Sequence, residues 1–441
     1  MSGAANASWI AASRGEPLRG ELSVPGDKSV SHRAIMLASL ADGVSRIEGF
    51  LEGEDARATE AIFRRMGVRI ETPADGVRVV HGVGIDGLRA PDGALDCGNA
   101  GTGMRLLAGL LSGQAFDSTL IGDASLSKRP MRRVTAPLAQ MGACIDAEPG
   151  ELPPLHVRGS QRLRGIAFDN VLASAQVKSA LLLAGLYAEG ETTVHEPRPT
   201  RDYTERMLSA FGWPITFSAG IATLSGGHRL TATDVLVPAD FSSAAFFLVA
   251  ASLVPGSELR LRRVGMNPRR TGLLHVLRLM GADIREENHG EQGGEPVADL
   301  IVRHAPLHGI DVPVQHVPDM IDEFPILFIA ATGAEGTTVV RGAEELRVKE
   351  SDRIATMAAG LAAIGVPIEE THDGATIQGK RGGLHAGRVD SHGDHRIAMS
   401  FSVAAQLGSA DVIIDDVANV ATSFPGFDAL ARGVGFGLRP A

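Results

Sequence analysis

Apolar and polar positions along the chain fall into two phrases that alternate six times. The first phrase is a helix with one apolar face, a closing Gly, and a short β-rich run. It reads ATEAIFRRMGVRI, RRVTAPLAQMGACI, TERMLSAFGWPI, TGLLHVLRLMGADI, ATMAAGLAAIGVPI and ALARGVGFGL. The closing glycines, Gly67, Gly142, Gly212, Gly281, Gly365 and Gly435, recur at nearly even intervals. Gly belongs there because the residue after a helix often turns left-handed, where a Cβ is penalised. The second phrase is a small-residue helix, a Gly turn and a strand. Its turn glycines, Gly43, Gly113, Gly190, Gly256, Gly336 and Gly408, keep a similar spacing and interleave with the first set. Its helices (SHRAIMLASL, TGMRLLAGLL, QVKSALLLAGL, SSAAFFLVAASL, DEFPILFIAAT, DHRIAMSFSVA) lack a broad polar face, which predicts burial on several sides.

Each repeat of about 70 residues is therefore a βαβαββ-like unit. Six units predict an α/β protein of two domains with three units each: residues 26–238, and residues 1–25 plus 239–441. The N-terminal strand, around residues 16–24, has no unit before it. It is expected to cross over and complete the last unit of the second domain. The length supports the division, since one core rarely grows past roughly 250–300 residues.

Composition narrows the function classes. With 42 Lys+Arg against 52 Asp+Glu the net charge is −10, and the pI is about 5.8. That disfavours a nucleic-acid-coating surface. Two cysteines, Cys97 and Cys144, cannot build a disulfide scaffold or a Cys-based zinc site. No secretory signal is visible at the start, and no apolar run reaches the roughly 18 residues of a membrane span. The expectation is a cytoplasmic, membrane-free protein.

The charged residues gather where the small-residue helices begin: residues 26–33, 97–105, 173–179, 239–244, 318–325 and 393–396. Helix N-termini attract anions. Plain N-capping accounts for Ser174, Ser242 and Asp322 one by one. It does not account for Lys28, Arg33, Lys178 and Arg396, cations that oppose the dipole and so point to an anion between. Two further clusters, residues 125–133 and 346–353, add Lys128, Arg129, Arg347, Lys349 and Arg353. Arg suits a bidentate grip on phosphate or carboxylate. Cations from both halves predict multiply anionic substrates and closure around them.

Other motifs fail their context. Residues 82–87 fit GxGxxG but lead into LRAPDG, not a helix. Residues 374–380 fit GxxxxGK, but Arg381 replaces the Ser/Thr. Both read as turn glycines. His392 and His395 make no metal set, and Cys97 reads as a packed small residue.

The stretches PGDKSVSHRA, LEGED, GNAGTGMRL, GDASLSKRPM, SAQVKSALLLAGL, TRDYTERML, MIDEFPIL, EELRVKESDR, DHRIAMSF and ATSFPGF run in order from residue 24 to about 428. By them the chain resembles the 5-enolpyruvylshikimate-3-phosphate synthase family, and its wording is most similar to the class II branch. The resemblance implies two domains of three βαβαββ units, an inside-out α/β barrel with the active site in the interdomain cleft. It implies transfer of enolpyruvyl from phosphoenolpyruvate to shikimate 3-phosphate with release of phosphate, and no metal or organic cofactor. A monomer is expected.

Carried over by motif, Lys28, Ser29, Arg33, Ser174, Ala175 (through its backbone), Gln176, Arg201, Asp322 and Lys349 would bind shikimate 3-phosphate. Lys28, Gly101, Arg129, Gln176, Arg353 and Arg396 would bind phosphoenolpyruvate. Asp322 would take the 5-hydroxyl proton, Glu350 would handle the proton at C3, and Lys28, which reaches both substrates, would be the third catalytic residue. The interval from Asp322 to Lys349 matches the family spacing; that from Asp319 does not, and Asp319 is expected to cap the helix. Two departures stand out. The ATSFP stretch holds Thr422 where many members have a Lys nearby. Gly101 stands where glyphosate-tolerant members can carry Ala, so sensitivity is expected.

The sister transferase that acts on UDP-N-acetylglucosamine typically has Asn after the entry Lys and a loop Cys. Here Ser29 follows Lys28, and residues 125–131 hold no Cys. A non-catalytic anion-binding protein on the same fold would have lost Asp322 or Glu350; both are present.

Overall fold

Six β-sheets form among the described residues, one for each repeat. The computed structural model describes residues 7–379, 384–408 and 410–441. The helix-closing glycines behave as their position demands: all six have φ between 79° and 114°. Lys380 and Arg381 lie outside the described residues.

Five of the six sheets share one plan; that of Thr337–Val340, Gly374–Gln378 and Ile368–Thr371 has three antiparallel strands. A strand entering parallel lies beside a second strand, which pairs antiparallel with a third, and a fourth follows on the outside. Thus Leu95–Asp96 runs parallel to Ser118–Ile121, which pairs antiparallel with Leu152–Val157, which pairs with Ile145–Glu148. Ala167–Asp169, Glu191–His195, Ile221–Ser225 and Ile215–Ser218 repeat the order. In the first sheet the parallel position is filled from residues far downstream, Leu230–Thr231 and Val235–Leu236 beside Ala41–Glu48.

The N-terminal expectation needs correction. Arg19–Leu22 pairs parallel with Glu258–Gly265, so it completes the fourth repeat, not the last. The last sheet is completed by an earlier strand, Trp9–Ala12, which lies antiparallel between Val412–Asp415 and Gly437–Pro440. Its WIAA sequence is too short to show a period, so nothing in the pattern marks it as a strand. Trp9 stacks on Phe427 at 5.7 Å between ring centroids.

The chain divides into two compact units, one of Met1–Pro25, Ala239–Gly290 and Pro296–Ala441, the other of Gly26–Pro238 with Glu291–Glu295. Each has its own apolar core. The small-residue helices are the centres of these cores. In Phe241–Leu253 every residue is buried, Ser242, Ser243 and Ser252 included. Phe241–Leu253, Phe324–Gly333 and His395–Ala404 pack against one another. In the other unit Gly101–Ser112 lies so close to Ala175–Gly185 that a Cβ on Gly109 would stand 2.1 Å from the Ala180 carbonyl oxygen. Charged side chains gather at the helix ends, and there they meet.

Candidate active-site residues

In the Gly26–Pro238 unit, the first inner helix, Lys28–Leu40, is capped by Asp27, whose carboxylate accepts from the Val30 N–H and the Tyr203 hydroxyl, both at 2.9 Å. Lys28 then reaches Asp55 at 3.1 Å. Ser29 offers its carbonyl oxygen to Arg33 Nη1 at 2.9 Å. Arg33 is buried; its Nε donates to Thr204 Oγ1 and its Nη2 to Ser179 Oγ, each at 2.7 Å. Burial, opposed by the charge of Glu205, lowers its pKa to about 10, and Arg201 adds to the lowering. Arg201 is thus a near electrostatic neighbour of Arg33, on the loop that enters helix Tyr203–Ala210.

The second and third inner helices bring their entries together. Gln176 accepts from Arg105 Nη1 at 2.8 Å and donates to Thr102 Oγ1 at 2.8 Å. Arg129 donates to Asn99 and Ser125 at 2.8 and 3.0 Å. Gly101, the first residue of its helix, faces both guanidinium groups: a Cβ there would lie 3.2 Å from Arg129 Nη1 and 3.3 Å from Arg105 Nη1. A helix N-terminus flanked by two Arg is a place for an anion. Ser174 and Ala175 open the third inner helix, but Ser174 makes no side-chain cap.

The other unit holds the carboxylates. Asp322 is met by Arg270 at 3.4 Å, Arg353 at 3.6 Å and Lys349 at 3.9 Å. Lys349 also pairs with Glu345 at 2.9 Å. Glu350, a quarter exposed, pairs with Arg353 at 2.6 Å. Arg353 is 1% exposed and is held from behind by the fully buried Asp394 at 2.8 Å. Burial would weaken the Arg353 charge; Asp394 and Glu350 outweigh it and raise its pKa. Burial alone would push the Asp394 carboxyl up, but Arg353 holds it below the usual carboxylate range. Arg396 opens the last inner helix, where Asp394 caps its N–H, and approaches Glu323 at 3.7 Å.

Several expectations change. Neither Ser242 nor Asp322 caps: Asp240 caps the helix that holds Ser242, and the helix after Asp322 has no side-chain cap. Asp319 pairs with Arg269 at 3.4 Å instead of capping. Lys178 faces no ligand; Glu196 and Glu205 take it at 2.8 and 2.7 Å. Arg347 is bound to Asp352 and to backbone carbonyls of Thr371 and His372. Burial pushes the Cys97 thiol pKa up, as a packed residue requires. Thr422 is buried and donates to the Asn419 carbonyl at 2.7 Å. Five residues that motif reasoning does not single out belong to these clusters: Arg105, Asp240, Arg270, Glu323 and Asp394. All but Arg270 stand within or beside an entry segment, and that adjacency is the one signal that could have found them.

The model of the family described as EPSP synthase (3-phosphoshikimate 1-carboxyvinyltransferase) matches residues 12–430. A 3-phosphoshikimate 1-carboxyvinyltransferase of Xanthomonas oryzae pv. oryzae (strain PXO99A) is 70% identical over 433 residues, 98% of each chain. That of Xanthomonas axonopodis pv. citri (strain 306) is 69% identical over the same length and coverage. The solved EPSP synthase of Acinetobacter baumannii shares 50% identity and superposes with a TM-score of 0.89, covering 99% of this chain and 100% of that one. The enolpyruvyl transferase NikO from Streptomyces tendae, 19% identical, has the same fold at a TM-score of 0.79 over 99% of each chain.

Proposed function

Because the chain belongs to the EPSP synthase family, we propose a division of labour among its residues that follows from the contacts above. The enzyme transfers the enolpyruvyl group of phosphoenolpyruvate to the 5-hydroxyl of shikimate 3-phosphate and releases phosphate, a step of the shikimate pathway toward chorismate and the aromatic amino acids. The hydroxyl oxygen bonds to C2 of phosphoenolpyruvate while C3 gains a proton. The tetrahedral intermediate then loses phosphate from C2 and a proton from C3, restoring the double bond.

Asp322 is the base for the 5-hydroxyl. Lys349, Arg353 and Arg270 around its carboxylate support this assignment, because they hold it in place among the cations proposed to bind both substrates. Lys349 also lies against the substrate ring. Glu350 delivers and retrieves the C3 proton; its pairing with Arg353 fixes the carboxyl while leaving it partly exposed. Gly101, Arg129, Arg353 and Arg396, with Lys28 and Gln176, hold phosphoenolpyruvate. Thr422 offers no charge, so the affinity for phosphoenolpyruvate rests on these cations. Lys28, Ser29, Arg33, Ser174, the Ala175 backbone, Gln176 and Arg201 hold shikimate 3-phosphate. Both units thus serve one pair of substrates. The enzyme works as a monomer, since one chain carries both units, and in the cytoplasm, a reading that rests on its two free cysteines; no described helix is long and apolar enough to cross a membrane.

Phosphate release on mixing with both substrates tests the scheme. It should require both, and the Asp322→Ala variant should lose about 10²- to 10⁴-fold in kcat, the usual share of a general base. Release with UDP-N-acetylglucosamine in place of shikimate 3-phosphate would move the chain to the sister activity. A fully active Asp322→Ala variant would remove Asp322 from the base role.

A further inference from the structure

The mechanism makes no use of one fully buried charge cluster. Lys178 lies in the third inner helix, Ala175–Gly185, among apolar neighbours, and is 3% exposed. Its ammonium meets Glu196 at 2.8 Å, Glu205 at 2.7 Å and the Thr200 carbonyl oxygen at 3.5 Å. Both carboxylates are buried like the lysine. Burial works against the charge on Lys178, but Glu205 and Glu196 outweigh it and hold its pKa above the ordinary value.

The partners of this cluster are what make it more than a staple. Glu196 accepts from the Thr200 N–H at 3.0 Å and the Thr200 hydroxyl at 2.6 Å, fixing the residue just before Arg201. It also accepts from Asn170 Nδ2 at 3.0 Å. Asn170 in turn donates to the Ser174 carbonyl at 2.9 Å. Between them Ala173 has φ +50°, a left-handed conformation that a non-Gly residue keeps only where its surroundings enforce it. Glu205 is the chain neighbour of Thr204, which receives Arg33 Nε at 2.7 Å. One ammonium therefore stands behind two pieces of chain that carry groups assigned to shikimate 3-phosphate, Ser174 and Arg201, and a third that holds Arg33. Stability alone does not call for this arrangement. Apolar residues of similar volume in place of a buried ion cluster are often neutral or stabilising.

We propose that Lys178 is a positioning residue for shikimate 3-phosphate, tying the Ser174 segment, the Arg201 loop and Arg33 into one binding geometry through Glu196 and Glu205. The inference rests on the reading that Ser174 and Arg201 contact that substrate. Its chemistry is indirect: Lys178 touches neither substrate. Its loss should therefore weaken shikimate 3-phosphate binding and spare the turnover of bound substrate.

The test compares Lys178→Arg with the charge-balanced pair Lys178→Met/Glu205→Gln, which leaves Glu196 as the one carboxylate to be satisfied. Folding is checked by thermal melting, and KM is measured for each substrate beside kcat. Ser174→Ala and Arg201→Ala run alongside. In the folded pair variant, KM for shikimate 3-phosphate should rise at least about tenfold, the scale on which displaced binding groups lose effect. The kcat and the KM for phosphoenolpyruvate should stay within about threefold of the parent. Lys178→Arg should recover most of the loss. An unchanged KM for shikimate 3-phosphate, while Ser174→Ala and Arg201→Ala raise it, would overturn the proposal and leave the site reading standing. Unchanged values in Ser174→Ala and Arg201→Ala would overturn the site reading, and this proposal with it.

Discussion

Gly101 shows how a single hydrogen in place of a methyl can set selectivity. The Cβ of an alanine there would press on the tips of Arg129 and Arg105 at 3.2 and 3.3 Å. Both are ends of long side chains, so they can give, but only by leaving Gln176, Asn99 and Ser125, which they hold beside the proposed phosphoenolpyruvate site. Gly101→Ala should raise KM for phosphoenolpyruvate several-fold and weaken glyphosate, the bulkier analogue, by about tenfold or more. An inhibition curve unchanged by the methyl would remove Gly101 from the selectivity account. At this scale the sequence is readable where a residue belongs to a motif and opaque where its partner arrives from elsewhere. Asp322, Lys349, Glu350 and Arg353 all lie in motif stretches, and the structure brings them together. Arg270 reaches the same carboxylate from 52 residues away, and no spacing rule announces it. Lys178 meets the same limit: Glu196 and Glu205, which satisfy it, come later in the chain with nothing to mark them as its partners.

The inner helices join charged ends to apolar bodies, and the polar groups left inside those bodies carry a stability cost. His32, in the first inner helix, is fully buried beside Thr59 at 2.7 Å. Burial, with Lys28 and Arg33 nearby, lowers its pKa to about 3 from an ordinary 6.5. The unfolded chain therefore binds a proton that the folded chain refuses between those values. His32 costs nothing above pH 6.5, and below it stability falls by about 1.4 kcal/mol per pH unit until the folded pKa is reached. Urea unfolding at about pH 7 and pH 5 should show a loss of about 2 kcal/mol that the His32→Gln variant lacks. An identical pH dependence in the variant would mean that other groups set the acid limb. Element type is legible here because the small-residue helices repeat with their glycines. Strand partners are not: the short strand Trp9–Ala12 carries no period, and only closure of the last sheet reveals its place.

In the whole molecule, the two units close in different ways. The Gly26–Pro238 unit is sealed by its own later residues, when Leu230–Thr231 and Val235–Leu236 join the sheet of Ala41–Glu48. The other unit borrows its beginning: Ser8 donates to Asp415 across 407 residues of chain. A ribosome adding about 5–20 residues per second needs roughly 20–80 s to traverse that span. During this interval the strand Trp9–Ala12 has no mate, while the Gly26–Pro238 unit can finish. Nascent chains arrested before residue 412 should thus yield to a brief protease pulse a protected fragment near 26–238 and little else. Equal protection of both units at that length would show that the N-terminal strand is dispensable for closure. The strand Trp9–Ala12 then settles late, and until residues 412–440 are made both of its hydrogen-bonding edges stand open to pairing with another chain.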